Sequence, residues 1–127
     1  MSVVVDASIV IDALLGDTIA EATLFDRVIH VPVTIDAEVL HALRRRWFAG
    51  SLNDENALDV IKLFRHTPIT RHPVQPFLDR MWSLRHNITA YDAGYVALAE
   101  SLGLPLLTRD WRLAHSSGHT ARIEYIA

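Results

Sequence analysis

The chain has 127 residues, half of them hydrophobic, which is enough to bury one ordinary core and points to a single domain over residues 1–127. With no cysteine there is neither a disulfide framework nor a thiolate zinc site, and the default compartment is the cytoplasm. A net charge of −3 argues against holding nucleic acid by bulk positive charge, and no apolar run approaches the ~18 residues of a membrane span.

The opening MSVVVDASIVID has no basic leader and carries two aspartates within its apolar stretch, so it reads as a strand and a helix and not as a secretory signal. The strand is Ser2 to Val5, ending at Asp6, and the helix runs from about Ala7 to Leu15. Gly16 stops it, and Asp17 or Thr18 caps a second helix reaching about Asp26. Val28 to Val31 is a short strand. From Thr34 to Phe48 the pattern is helical, with Leu40, Leu43 and Trp47 on one face and Gly50 just past the end. Asn53 caps a helix carrying Leu58, Ile61 and Leu63 to about Arg65. A weak strand around Pro68 to Thr70 and a helix from about Gln75 to Arg85 follow. Thr89 opens a helix to Leu102, closed by Gly103, and Leu104 to Leu107 is the strongest strand candidate of the second half. It ends at Thr108, Arg109 and Asp110, after which Trp111 to Ala114 forms a short helix and Arg122 to Ile126 closes the sheet. This alternation is the signature of an α/β domain with a mainly parallel central sheet flanked by helices.

Sites in open parallel sheets form beyond the carboxyl ends of the strands, where strand order reverses. Asp6 and Asp110 fall at such ends and meet at one crevice if their strands are neighbours. Asp92 lies in the first turn of the Thr89 helix, which leads into the strand before Asp110. Glu38, roughly 160° around its helix from Leu40, points off the expected core face. Four gathered carboxylates repel one another and weaken the fold unless a cation offsets them. Hard oxygen ligands select Mg²⁺ or Mn²⁺ over zinc. One or two such ions polarise a phosphoryl oxygen, activate water and stabilise a leaving oxygen, so phosphodiester hydrolysis fits the equipment best. Setting those four aside leaves 11 of the 15 acidic residues against 12 basic ones, all arginine except Lys62, a skew that genomic composition explains as readily as phosphate binding.

Each residue also has an ordinary explanation. Asp6 and Asp110 could cap the helices that follow them, Asp92 stands where a capping box after Thr89 would put an acidic residue, and Glu38 could be a solvated helix residue. Their joint placement favours a site. Gly94, inside a helix beside Ala93 and Ala97, suggests close packing of another element. The Arg44 to Arg46 triple is assigned to the helix C-terminal dipole. His115 and His119 have i, i+4 spacing, but Ser117 and Gly118 interrupt a helix there and no HExxH accompanies them. Ser8 and Ser51 lack the glycines of a nucleophile elbow, and no Gly-rich phosphate loop is present. A receiver domain would need a lysine at a late strand end, and a haloacid-dehalogenase phosphatase an aspartate where Ser8 stands.

Taken together, VVVDASIVID, DAEVLHALRR and ITAYDAGYVALAESLGLPLLTRD resemble, in order and over essentially the whole chain, the PIN-domain ribonucleases, and specifically the VapC toxins of bacterial type II toxin–antitoxin pairs. The resemblance implies a Rossmann-like parallel sheet and an endoribonuclease dependent on Mg²⁺ or Mn²⁺. It also implies structured RNA (tRNA, rRNA or mRNA) as substrate, a homodimer, and a cognate VapB-type antitoxin that occludes the site. Carried over residue by residue, it implies that Asp6, Glu38 and Asp92 coordinate the metal and Asp110 holds it directly or through water, while Ser8 and Thr108 orient the carboxylates. Arg109 and Arg112 flank the site in sequence as candidate phosphate contacts, with ordinary surface charge as the alternative. The competing reading is a non-catalytic PIN-like module that binds RNA or protein without cutting.

Overall fold

The computed structural model describes all 127 residues. Five strands form one sheet: β1 (Ser2–Val5), β2 (Val28–Pro32), β3 (Thr70–His72), β4 (Leu106–Thr108) and β5 (Ile123–Tyr125). Seven helices flank it: α1 (Ala7–Leu14), α2 (Thr18–Leu24), α3 (Ile35–Phe48), α4 (Asp54–His66), α5 (Leu78–Ser83), α6 (Ala90–Leu102) and α7 (Trp111–Ala114). No helix is long and apolar enough to cross a membrane. The strand order is β3-β2-β1-β4-β5 and every pairing is parallel, as expected of an α/β chain. The chain builds outward from β1 to β3 on one side, then returns to lay β4 and β5 on the other. Strand order therefore reverses between β1 and β4, and that is where a crevice opens.

Parallel strands covered on both faces read as unbroken apolar runs, and Val3, Val4 and Val5 of β1 are all buried. Helix α6 crosses β1, β2 and β4 and is buried without interruption from Ala93 to Ala99, so it belongs to the core and not to a half-wet surface. Its N-cap Thr89 accepts from the Asp92 amide, and Gly103 closes it in the left-handed conformation that glycine adopts without steric cost. Fully burying side chains such as Leu98, Leu106 and Leu113 is worth about 1.5–3 kcal/mol each.

Several local expectations shift. The inward residues of α3 are Ile35, Val39, Ala42 and Leu43, whereas Leu40 and Trp47 are about half exposed. The large apolar residues at 40 and 47 suggested a face that the i, i+4, i+7 run from Ile35 overrides. In α4, Leu58 and Leu63 are exposed, Phe64 is buried, and Ala57, Val60 and Ile61 pack against the core. Strand β3 begins at Thr70 because pairing with β2 runs from His30↔Thr70 to Pro32↔His72, past the apolar Pro68 and Ile69 that suggested an earlier strand. The segment after it divides into a 3₁₀ turn over Gln75–Phe77, with Pro76 in its first turn, and then α5. Asp17, not Thr18, caps α2 by accepting from the Ala20 amide.

Candidate active site

All four expected carboxylates line one cleft of about 650 Å³ at the carboxyl edge of the sheet, together with Ser8, Asp12, His41, Arg45, Tyr91 and Tyr95 among others. The topology explains the convergence. Val4 and Val5 of β1 pair with Leu106 and Leu107 of β4, so the residues leaving these strands, Asp6 and the Thr108–Asp110 turn, emerge side by side.

Asp6 is the best held of the four and only 6% exposed. It occupies the N-cap position of α1, yet its side chain makes no capping bond. Its two oxygens accept instead from the Ser8 hydroxyl and the Thr108 hydroxyl, each at 2.5 Å. Both hydroxyls are fixed in turn. Ser8 Oγ accepts from the Arg109 amide at 3.1 Å, and Thr108 Oγ1 from the Asp110 amide at 2.9 Å. The carboxylate is thus clamped by the turn that follows β4. Burial pushes Asp6 up to about 6 against the pull of those two hydroxyls, with the nearby Asp92 charge adding to the rise.

Glu38 reaches the cleft for a reason opposite to the one its sequence suggested. Leu40 faces solvent, so a side chain pointing away from Leu40 turns inward, and Glu38 is half-buried. Its Oε1 accepts from the Tyr95 hydroxyl at 3.1 Å. Burial drives its carboxyl to about 7, the Tyr95 hydrogen bond opposes this, and the Asp92 and Asp6 charges reinforce it. Tyr95 is itself fully buried, and burial followed by the Glu38 charge keeps its phenol protonated. Sequence reading overlooked this tyrosine. Its signal was present, since it stands one turn after Asp92 and shares that residue's side of α6.

Asp92 is half-buried and raised, first by burial and then by Asp110. Thr89 caps α6 by accepting from the Asp92 amide at 3.2 Å, but the return bond that would complete a capping box is not formed, and the carboxylate stays available to the cleft. Asp110 combines both readings. Its Oδ1 caps α7 by accepting from the amides of Arg112 and Leu113, at 2.9 and 3.4 Å, while the residue lines the cleft.

The basic residues are arranged differently from expectation. The Arg109 guanidinium turns to Asp17 at 2.9 Å and Asp12 at 3.2 Å and donates to the Ala127 carbonyl, tying α1 and the α2 cap to the chain's last residue. Arg112 is exposed and does not line the cleft. The cations that do are Arg45 and Arg46, with His41 beside them. Arg46 also donates to the Ala42 carbonyl at 3.3 Å, one turn back within α3. Glu38, His41 and Arg45 recur at three- and four-residue spacing along α3, and that stripe is the sequence signal for this wall.

The donor set matches a hard divalent cation, because four carboxylates supply oxygen and two of them, Asp6 and Glu38, are held well above their ordinary range first by burial and then by the Asp92 charge. No three of these side chains stand close enough together to hold an ion. The match is therefore one of chemistry and placement around a common cleft. The rival histidine pair is engaged elsewhere: His115 Nδ1 donates to the Trp111 carbonyl, His119 meets Ser116 Oγ, and α7 has already ended at Ala114, with Gly118 left-handed in the loop between them.

The family model described as PIN domain matches residues 3–118. The chain is 39% identical over 128 aligned positions to ribonuclease VapC12 of Mycobacterium tuberculosis, an alignment covering 98% of this chain and 99% of that protein. Among solved structures, M. tuberculosis VapC20, a toxin that cleaves the sarcin–ricin loop, superposes with a TM-score of 0.67 at 18% identity, over 93% of this chain and 96% of that one. A toxin–antitoxin complex from Klebsiella pneumoniae gives 0.64 at 17% identity, over 89% and 90%. These two structural likenesses carry the fold.

Proposed function

Because the chain belongs to the PIN-domain family, and within it to the VapC ribonucleases, we propose that the acidic cleft is the active site of a Mg²⁺- or Mn²⁺-dependent endoribonuclease acting as the toxin of a type II toxin–antitoxin pair. The observation that carries the reading is the lining of one cleft, at the β1/β4 reversal, by Asp6, Glu38, Asp92 and Asp110. In this reading Asp6, Glu38 and Asp92 hold the ion, and Asp110, with one oxygen committed to its helix cap, holds it directly or through water. The ion, when bound, offsets charge on the attacking and departing oxygens of an in-line displacement at phosphorus. Water adds to phosphorus, one P–O ester bond breaks, and a phosphate monoester and a hydroxyl are left.

The protein's own part is positional. Ser8 and Thr108 fix both oxygens of Asp6, so the most buried carboxylate presents one geometry. Tyr95 holds Glu38 against the cleft wall. Arg45 and Arg46 sit where the phosphate backbone of a structured RNA would enter, joining Arg112 as candidate phosphate contacts in place of Arg109, whose guanidinium is committed to Asp12 and Asp17. A cognate VapB-type antitoxin that occludes this cleft, and a homodimer, complete the proposal.

Purified protein should cleave RNA in Mn²⁺, and cleavage should vanish in EDTA and in Asp6→Asn or Asp92→Asn. Cleavage surviving either substitution would sink the mechanism, and a folded protein that binds RNA without cutting it would favour the non-catalytic module.

A further inference from the structure

Next to the acidic cleft lies a group of rings that neither the core nor the proposed chemistry uses. Trp111 follows Asp110 directly as the first residue of α7 and is 60% exposed. His115 stacks against it with centroids 3.6 Å apart and planes tilted by 30°, held by its Nδ1 contact to the Trp111 carbonyl at 3.0 Å. Tyr125 meets it edge-on at 5.5 Å. Tyr125 in turn is registered against Thr108, the residue that clamps Asp6, so the ring group stands at the same carboxyl edge of the sheet as the cleft. Burying Trp111 would have been the apolar solution. Here an indole is braced by two neighbours and left open to solvent, and the adjoining Arg112 is exposed and forms no ion pair.

We propose that Trp111, braced by His115 and Tyr125, is the stacking platform for an unpaired RNA base beside the phosphate that enters the cleft. This rests on the ribonuclease reading above and deepens it. Sequence-specific RNA binding works mainly on single-stranded loops and bulges, whose free bases stack on aromatic faces. A braced ring loses little freedom on binding, and a cation next to it can take the neighbouring phosphate. The arrangement selects an unpaired nucleotide near the cut and disfavours continuous duplex, in which every base face is already stacked.

The test uses the full chain with Asp6→Asn in Mg²⁺, so that binding is read without cleavage, against a single-stranded adenosine dodecamer and an RNA duplex of equal length. Adding Trp111→Ala should weaken dodecamer binding about tenfold. Trp111→Phe should restore most of it, the slope of affinity against salt should not change, and duplex binding should be weaker and insensitive to both variants. Equal dodecamer affinity with Trp111 and with Ala, in a protein that binds RNA, overturns the platform and leaves the ribonuclease reading standing. Equal losses for duplex and single strand overturn it too, since the contact is then not to a base. Unchanged RNA affinity with an altered elution volume assigns the rings to a protein interface and likewise overturns it. Failure of the parent to bind, together with failure of the wild-type chain to cleave in Mn²⁺, brings down both readings at once.

Discussion

Removing divalent metal and raising pH should weaken this fold through its acidic cleft. Asp6 is lifted from an ordinary 3.8 to about 6, and Glu38 from 4.5 to about 7. Between about pH 4 and pH 7 the folded chain therefore holds protons that the unfolded chain has lost, and stability falls as pH rises. The Asp6 displacement corresponds to about 3 kcal/mol, and that of Glu38, discounted because it is only half-buried, to about 1–2 kcal/mol, so together they contribute roughly 4 kcal/mol. That is a large part of the 5–15 kcal/mol typical of a domain. Glu100 and Asp17, held below their ordinary values by Arg80 and by the Ala20 amide respectively, are ionised in both states only above about pH 6, and below that their contribution grows with pH and opposes the trend. His30 opposes the trend, since burial and then His72 hold its imidazole low and its contribution grows with pH. The reading is therefore taken on the difference between wild type and an Asp6→Asn, Glu38→Gln double variant, by urea unfolding in EDTA at pH 5 and pH 8. Because more than half of the Asp6 contribution is already lost by pH 5, wild type should lose roughly 2–3 kcal/mol relative to the double variant over that interval, and Mn²⁺ at pH 8 should recover the loss in wild type alone. A flat difference, or a relative gain by wild type, would refute the reasoning.

Tyr95→Phe removes the donor to Glu38 and should raise the Glu38 carboxyl further, so calorimetric Mn²⁺ affinity should fall about tenfold at pH 7 and the gap to wild type should narrow at pH 8.5. Glu100 accepts two bonds from Arg80 and two from Thr120, pinning the segment before β5 to α6. Glu100→Gln should cost about 1–2 kcal/mol near pH 6, a loss that disappears toward pH 2 where the native carboxylate, depressed to about 2, is itself protonated. Gly94→Ala should be neutral or stabilising by up to about 1 kcal/mol in thermal melts, because an added Cβ would meet only Met81 and Pro32 side-chain atoms at 3.8–3.9 Å.

The last of these also marks a limit of sequence reading. A glycine inside a core helix suggested that another element presses against the backbone there, yet the space accepts a methyl group. The architecture was legible because β1 is an unbroken valine run, α6 is capped at both ends, and strand ends carry the aspartates. The α3 face was not, since a sequence window weights Leu40 and Trp47 by hydrophobicity while packing weights Ile35, Val39 and Ala42 by their alignment in the core beside α1 and α4. Tyr95 and the Arg45 wall escaped for a related reason: each is defined by what faces it across the cleft, and that depends on the distance between α3 and α6, which no local pattern encodes.

The same dependence explains why Asp6 stands apart from the other three carboxylates. Its donors are side chains, but those side chains are themselves fixed by the amides of Arg109 and Asp110, and these amides stand where they do because β4 pairs with β1 in a single register. A slip of one residue would reverse every side chain of β4 and move Thr108 away from the carboxylate. Hydrophobic burial of Leu106 and Leu107 on the strand therefore enforces the geometry of a polar site two residues further on. Asp92 and Glu38 have no such clamp. Asp92 hangs from a helix start with its carboxylate unbound by the backbone, and Glu38 leans on one phenol. The cleft thus joins one carboxylate held on both oxygens at the sheet edge to two on separate helices with fewer partners. The position of Asp6 therefore follows from sheet register, whereas those of Glu38 and Asp92 follow from how α3 and α6 pack across the cleft.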